Sequence, residues 1–455
     1  MHHADGEEDD GTKREEVLNG DTPGASRPGS TLSVALEISS LSHGPDAVAR
    51  HQGRVVFVPG VAPGDMVEAR LVSERASFAR AEVVRRLASG AAYRVAPCAW
   101  VTECGGCPWQ QVAYDVQLAA KATNVREALA RIGGLSAAHE LPIRRAPDEW
   151  RYRHRIRLHV GAGGALGYRR ARSHQVVEIG DCVIADAALA AALPAVRALV
   201  RRLATRLATV ELLGNGTGGV VASGAAHGAF VAADERHIST LLATAPAPGR
   251  IVGVQLATDG WQRTWGDVRV RVDPDAGGTT IVQHPRAFSQ VNPAANRLLV
   301  ETVCTMAAPA RRVLDLFCGA GNFSLPLARA GTDVIGVEAS AAAVADARAS
   351  AAACGLTKAR FEATSALHFL RQQGLAGAEL VVLDPPRTGA AGAVAQLARL
   401  RAPRIVYVSC DPATLARDVA VLPAAGYRIG RLQPLDLFPQ TPHVETVLEA
   451  ALAID

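Results

Sequence analysis

Apolar and polar positions alternate over short stretches at Leu32 to Ile38, Gly53 to Val58, Asp65 to Leu71 and Ala79 to Leu87, divided by turns at Pro59-Gly60 and Pro63-Gly64. Short strands at even spacing with such turns predict a small β-barrel of the oligonucleotide-binding (OB-like) type over residues 31–90, or another small β domain. Residues 1–30 are polar and rich in Gly, Pro and Ser, with an acidic cluster at Glu7, Glu8, Asp9 and Asp10, and predict a disordered tail. Between Cys98 and Asp275 the pattern is mixed. Helices are expected at Tyr114 to Arg131 and Ala187 to Thr209, and strands at Arg151 to Val160 and Leu166 to Tyr168, which makes residues 91–280 a mixed α+β unit. From Ile281 onward apolar strands (Val313 to Phe317, Asp333 to Val337, Leu380 to Leu383, Arg404 to Val408) alternate with helices (Leu325 to Ala330, Ala341 to Ala353, Val394 to Leu400). That alternation predicts an α/β, Rossmann-like, doubly wound sheet over 281–455.

Composition bounds the picture without settling it. At 455 residues, nearly half of them apolar, the chain has material for two or three cores. The formal charge of +4 is modest, but Arg144 to Arg172 holds nine arginines against Asp148 and Glu149. A basic stripe of this kind suits a phosphate-backbone partner, the alternative being a solvated face in an arginine-rich protein. The N-terminus has no apolar run of a signal peptide, and no stretch has the apolar length that spans a bilayer, so a soluble, cytoplasmic protein with no membrane partner is expected, and a monomer. In a reducing compartment its eight cysteines are expected to be free, catalytic or metal-bound.

Candidate chemistry gathers in the C-terminal unit. The strand Ile405 to Ser409 ends on Cys410, and Asp411-Pro412 reads as the N-cap and first position of a helix. A thiol at the carboxyl end of a strand in an open α/β sheet stands where ligands bind, and the adjoining helix N-terminus is expected to favour its thiolate. A second strand runs into Cys318-Gly319-Ala320-Gly321-Asn322, a loop whose glycines permit a tight turn and close approach to a ligand. Asp315 precedes it and Glu338 ends the next strand, where a carboxylate can accept from ribose hydroxyls. This arrangement is more typical of S-adenosylmethionine enzymes than of nicotinamide enzymes. A thiolate adding to C6 of a pyrimidine makes C5 nucleophilic, after which a base must take the C5 proton. Glu445 is the best candidate for that base, an ordinary strand glutamate being the bland alternative, and Asp384 is the competing acid. Cys304, Cys318 and Cys354 read as packing residues. Cys98, Cys104 and Cys107, with Cys182 downstream, supply four thiols around Gly105-Gly106, which suit a [4Fe–4S] cluster or structural zinc, the spacing leaning toward the cluster.

Taken together, Cys104 to Gln110, Leu166 to Arg170 with Ser173-His174 and Asp181-Cys182, Phe288 to Asn292, Asp315 to Phe323, Asp384 to Arg387, Val408 to Pro412 and His443 to Glu445 resemble the RNA uracil-C5 methyltransferases. The likeness is specifically to the subgroup that has an N-terminal TRAM domain and an iron–sulfur cluster and modifies 23S ribosomal RNA. The resemblance covers residues 31–455 and implies a TRAM barrel, a central iron–sulfur and RNA-binding domain and an S-adenosylmethionine-dependent methyltransferase domain. It implies cofactor contacts from Gln290, Phe317, Asn322, Glu338 and Asp384, Cys410 as nucleophile, Glu445 as proton acceptor, and Cys98, Cys104, Cys107 and Cys182 as cluster ligands. Two features depart from the family pattern: Glu362 to Ser365 offers only hydroxyls where an Asp or Asn often stands near the adenine, and Leu41 to Asp46 lacks the usual Gly-rich turn. Methylation of tRNA and a non-catalytic RNA-binding role in ribosome assembly are the competing expectations.

Overall fold

A computed structural model of the chain describes residues 27–28, 33–244 and 247–453, so the tail expected over 1–30 lies outside the described residues except for Arg27–Pro28. The first unit is a barrel of β2 (Ser33–Leu41), β3 (Ala47–His51), β4 (Arg54–Val58), β5 (Met66–Glu74) and β6 (Phe78–Ala88), with β1 (Arg27–Pro28) paired onto β5. Strand order β5-β2-β3-β4-β6 and a further β5–β6 pairing close it into five strands. Strand β3 was not among the expected elements. It forms a hairpin with β4 because Gln52 and Gly53 both take positive φ, the turn geometry that matches strand twist. Alternation along β2 and β5 points Leu36, Ile38, Val67 and Ala69 inward, where Trp109 from beyond the barrel joins them.

The chain then forms α1 (Tyr114–Ala128), extended by a wider π turn to Gly133, and the short β7 (His139–Glu140). A seven-stranded sheet follows in the order β10-β9-β8-β11-β12-β13-β14, built from β8 (Arg155–Val160), β9 (Leu166–Arg169), β10 (Val176–Glu178), β11 (Arg206–Gly214), β12 (Val220–His227), β13 (Ile251–Ala257) and β14 (Gln262–Gly266). Helices α2 (Ala187–Arg202) and α3 (Asp234–Thr244) pack on it. The helix expected over Ala187 to Thr209 is therefore divided: α2 starts at the Asp186 cap and ends at Leu203, which is extended, and the next residues enter β11. The small hairpin β15 (Val270–Val272) and β16 (Ile281–Gln283) leads onward.

The C-terminal sheet is built as the strand–helix alternation predicts. Strands β17 (Arg312–Leu316), β18 (Asp333–Glu338), β19 (Ala359–Ala363), β20 (Leu380–Leu383) and β21 (Arg404–Ser409) are parallel in the order β19-β18-β17-β20-β21. The helices between them, from α4 (Pro293–Ala307) through α5 (Ser324–Arg329), α6 (Ala341–Ala353), α7 (Ala366–Gln373), α8 (Ala391–Arg399) and α9 (Pro412–Val419), cover both faces. Burial on both sides explains the unbroken apolar runs of β20 and β21. Two last strands, β22 (Tyr427–Leu435) and β23 (Glu445–Leu452), turn the edge antiparallel, with β23 lying between β21 and β22.

The N-terminal half is built into this sheet rather than strung before it. Strand β7 pairs parallel with β22, and Val125, Ala128 and Leu129 join the core around β21 and α9. Lys121 on α1 donates to Asp436 Oδ1 at 2.6 Å with both side chains fully buried. Burial alone would lower the lysine's pKa, and Asp436 opposes it. Removing one member of such a pair strands the other charge. We expect Lys121→Ala to lose about 3–5 kcal/mol in urea unfolding, and a Lys121→Met/Asp436→Leu double variant to recover most of that loss.

Candidate active site

The cofactor loop follows β17. Phe317 takes φ 63°, and Gly319 and Gly321 take 53° and 98°, so three left-handed residues turn the chain within five positions. A non-glycine residue held there stores backbone strain, a mark of functional loops. A side chain added at Gly319 would meet no atom within 4 Å, which leaves open space in front of the loop. Glu338, at the end of β18, accepts from the backbone N–H of Gly319 at 3.2 Å and of Ser340 at 2.8 Å, so its carboxylate is fixed at the loop with lone pairs to spare. Ser324 donates to Asp315 Oδ2 at 2.5 Å, while the other Asp315 oxygen is buried without a partner. Burial pushes the Asp315 carboxyl up to about 7.

Asn322 and Asn296 exchange amide hydrogen bonds of 2.8 and 3.1 Å, so the side chain of Asn322 is oriented by α4. Helix α4 is itself set by Asn292, whose side chain accepts from Ala295 N and donates to Leu437 O, both at 3.1 Å. Gln290 lies two residues before that cap. Its segment is tied to β8 and the residue before it, by His154 N to Val291 O at 2.9 Å and by Arg155 Nη1 to Ala287 O at 2.6 Å. Between these ties Phe288 stands 74% exposed, an aromatic ring with little to cover it. Ser365, in the departing stretch, is used as the N-cap of α7, accepting from His368 N at 3.3 Å.

Cys410 and Glu445 are brought together by strand register. Ser409 pairs with Thr446 and Leu435 with Glu445, so the next antiparallel position sets Cys410 beside Glu445. Asp384 lies one strand over, at the end of β20, with its backbone N–H on Leu316 O. The Asp411 cap is formed as expected, accepting from Thr414 N at 2.8 Å. Its expected effect on the thiol is not the dominant one. Burial, and then the Glu445 carboxylate, push Cys410 up to about 11, with Arg387 opposing through its charge and a hydrogen bond. Glu445 is itself pushed well above its ordinary range by burial and then by Asp384, again opposed by Arg387. Asp384 rises to about 7 through burial and then Asp315. Burial and the neighbouring carboxylates therefore favour the protonated forms of Asp384, Glu445 and Cys410 alike.

Arg387 is the residue that sequence patterns alone passed over, although it sits in the Asp384-Pro385-Pro386-Arg387 run. It faces His443, with Nη2 and Nε2 3.4 Å apart, and burial followed by the Arg387 charge lowers His443 to about 4. Its loop is pinned from α9: Thr414 Oγ1 donates to Arg387 O at 3.2 Å, and the buried Asp418 accepts from Ala390 N at 2.6 Å and Tyr407 Oη at 2.8 Å.

The other cysteine group is separate. Cys98, Cys104, Cys107 and Cys182 line one cavity with Trp100, Arg153 and Tyr168. Burial raises the thiols of Cys104, to about 11, and of Cys107, and neighbouring cysteines of the set push the same way. Gly105 is required by close approach, since a Cβ there would meet the backbone of Ala171 at 3.0 Å. Among the described residues no three His, Cys, Asp or Glu side chains stand in ready metal-ligating geometry. Cys304 and Cys318 lie against apolar neighbours, whereas Cys354 is half-buried with its thiol donating to Thr280 O at 3.6 Å. No helix among the described residues is long and apolar enough to cross a membrane.

Comparison with known proteins agrees with this geometry. The tRNA (Uracil-5-)-methyltransferase family profile matches residues 277–450, and the TRAM domain profile matches residues 25–84. The 23S rRNA (uracil(1939)-C(5))-methyltransferase RlmD of Pseudomonas putida is 36% identical, over 90% of this chain and 92% of that protein. An RNA methyltransferase of Thermosynechococcus vestitus is 35% identical over 91% of this chain and 97% of its own length. The crystal structure of Pyrococcus abyssi tRNA (uracil-54, C5)-methyltransferase with S-adenosyl-L-homocysteine shares the fold, with a TM-score of 0.70 and 24% identity over 92% of this chain and all of that one. A thiol and a carboxylate facing each other beside a methyltransferase loop, on a chain aligned along nine-tenths of such a relative, place the protein in the RNA (uracil-C5)-methyltransferase family.

Proposed function

We propose that the protein methylates C5 of a uridine in 23S ribosomal RNA through a covalent bond from Cys410. The observation that carries this reading is the strand register that sets Cys410 beside Glu445 at the open end of the sheet. S-adenosylmethionine would supply the methyl group, held by Phe317, Asn322, Glu338 and Asp384 with Gln290 at the rim. The open space before Gly319 and the fixed carboxylate of Glu338 suit a ribose. The Cys410 thiolate adds to C6 of the uracil, and the displaced electron pair moves through C5 onto O4, an enolate that the Arg387 charge would stabilise. Carbon C5 then takes the methyl group as its bond to sulfonium breaks. Glu445 accepts the C5 proton, the C5–C6 double bond reforms, and the thiolate leaves. A carboxylate raised by burial is a strong proton acceptor once ionised, which suits this role.

The target base must leave its stack to reach this pocket, and the exposed Phe288 suits a role in filling the gap. The arginines of Arg144 to Arg172 and the barrel would hold the backbone. Ribosomal rather than transfer RNA is favoured by RlmD relatives at about 35% identity that match along nearly their whole length. Cys98, Cys104, Cys107 and Cys182 would hold a [4Fe–4S] cluster; four thiols on one cavity, raised by burial and by one another, are a donor set that a cluster would relieve of its protons. The cluster would brace the fold.

Incubation with RNA containing 5-fluorouridine and cofactor should trap a covalent protein–RNA adduct, and Cys410→Ala should abolish it; absence of adduct with every ribosomal fragment tried would overturn the reading. Adduct formation should quicken as pH rises toward about 11, because the thiolate is the attacking form. Arg387 lowers the thiol, so Arg387→Gln should displace that profile to higher pH. At neutral pH the rate should then fall about tenfold for every pH step of one by which the profile moves. Anaerobically purified protein should carry iron and acid-labile sulfide together. A preparation holding zinc alone would assign the four thiols to a structural metal instead of a cluster.

A further inference from the structure

Residues 436–440 run from the end of β22 toward His443 and Glu445, and their carbonyls from Leu437 to Gln440 are all bound to distant parts of the chain. The carbonyls of Leu437, Phe438, Pro439 and Gln440 accept from Asn292 Nδ2 at 3.1 Å, Lys121 Nζ at 3.0 Å, Tyr152 Oη at 2.9 Å and Trp109 N at 3.1 Å. Gln440 is the centre of this grip. It is fully buried and takes φ 71°. Its Oε1 accepts from Arg94 Nη2 at 2.7 Å and Gln117 Nε2 at 2.9 Å, its Nε2 donates to Glu149 O at 3.3 Å, and its backbone N–H donates to Gln117 Oε1 at 2.9 Å. All of its polar atoms are therefore satisfied by residues between 94 and 149.

We infer that Gln440, gripped by Arg94 and Gln117, is a positioning residue that sets Glu445 for removal of the C5 proton. The inference rests on the reading of Glu445 as proton acceptor. The grip is passed along a short path: Thr441 Oγ1 donates to Phe438 O at 2.8 Å, His443 N donates to Thr441 Oγ1 at 3.4 Å, and the Phe438 and His443 rings meet edge to face at 6.0 Å. Glu445 follows two residues later. Cys410 is held differently, by β21 and by the cap of α9. Loosening Gln440 should therefore spare thiolate addition and methyl transfer while slowing proton removal, and a C6-bound RNA already carrying its methyl group should accumulate.

The test uses full-length protein, ordinary uridine RNA and cofactor labelled on the methyl group, with denaturing gels to capture covalent species. Gln440→Asn keeps an amide that tolerates positive φ but shortens its reach, and Arg94→Lys keeps the charge while losing the forked contact to Gln440 and Glu149. Each variant should lower kcat roughly tenfold to a hundredfold, with KM for RNA within about twofold, and should build up labelled methyl in the protein–RNA adduct. Arg94→Lys answers the question if Gln440→Asn does not fold. Turnover close to wild type in a folded variant would overturn the inference alone. So would a parallel fall in turnover and in adduct formation with 5-fluorouridine RNA, accompanied by a lower Tm, because that is a general loss of structure. A wild-type protein that forms no adduct would overturn the underlying reading instead.

Discussion

The site depends on two antiparallel strands added to the edge of a parallel sheet. In a purely parallel sheet every strand would present its carboxyl end at the same rim, and a residue from a strand's start could not reach it. Because β23 runs against β21, its first residue, Glu445, arrives at the end of β21, where Cys410 begins the turn into α9. A shift of one residue in that pairing would turn Glu445 to the other face of the sheet. Register here is secured by burial on both faces, with Val447 and Leu448 of β23 packed into different cores.

The same arrangement explains why the N-terminal half cannot be regarded as an appended RNA-binding module. Leu437 and Val444 of the turn between β22 and β23 pack into the cores of their own sheet, but the backbone of the turn is held from elsewhere. Its carbonyls are satisfied instead by Trp109, Lys121, Tyr152 and Asn292. Trp109 follows Cys107 by two residues and is fully buried in the barrel core. The barrel, the cysteine cavity and the turn leading into Glu445 thus share one short piece of chain. Likewise the loop after β9 joins units: Arg172 reaches Asp46 of the barrel, Arg169 O accepts from Gly105 N at 3.1 Å, and Arg170 pairs with Cys104 through an isolated β-bridge.

Much of the C-terminal sheet was legible because its signals are local. Unbroken apolar runs marked β20 and β21, the Val313 to Phe317 stretch running into a glycine loop marked β17, and Asp411-Pro412 marked the start of α9 by chemistry confined to adjacent residues. The boundary between α2 and β11 was hidden because Ala, Leu and Arg continue through it without Gly or Pro, and only packing on the sheet decides where the helix stops. Strand β3 is five residues long and depended on a Gln-Gly turn that gives a weaker signal than Asn-Gly. In the site, Cys410 and Glu445 could be nominated from strand ends, but the pull of burial over the helix terminus on the thiol required knowing what surrounds it. Asn296, Lys121 and Gln440 carry no pattern that sets them apart, and the Asp384 to Arg387 run does not show what Arg387 faces, since the partners of all four lie elsewhere in the chain.

Strain points to the same conclusion as hydrogen bonding. Phe317 and Gln440 are non-glycine residues in left-handed backbone, each in a loop entering one half of the site. Such a conformation costs on the order of 1–3 kcal/mol and persists only where the surroundings over-determine it. At Gln440 the surroundings are the satisfied amide and backbone bonds from residues 94–149, which leave no alternative rotamer or peptide orientation that keeps those groups paired. At Phe317 they are the neighbouring strands, through Asp384 N on Leu316 O and Cys318 N on Val337 O. A glycine would remove the strain at either position, but at Gln440 it would also remove the side chain that ties the approach to β23 to the N-terminal half. Strain retained at that point, together with a fully paired buried amide, fixes the piece of chain that leads into Glu445.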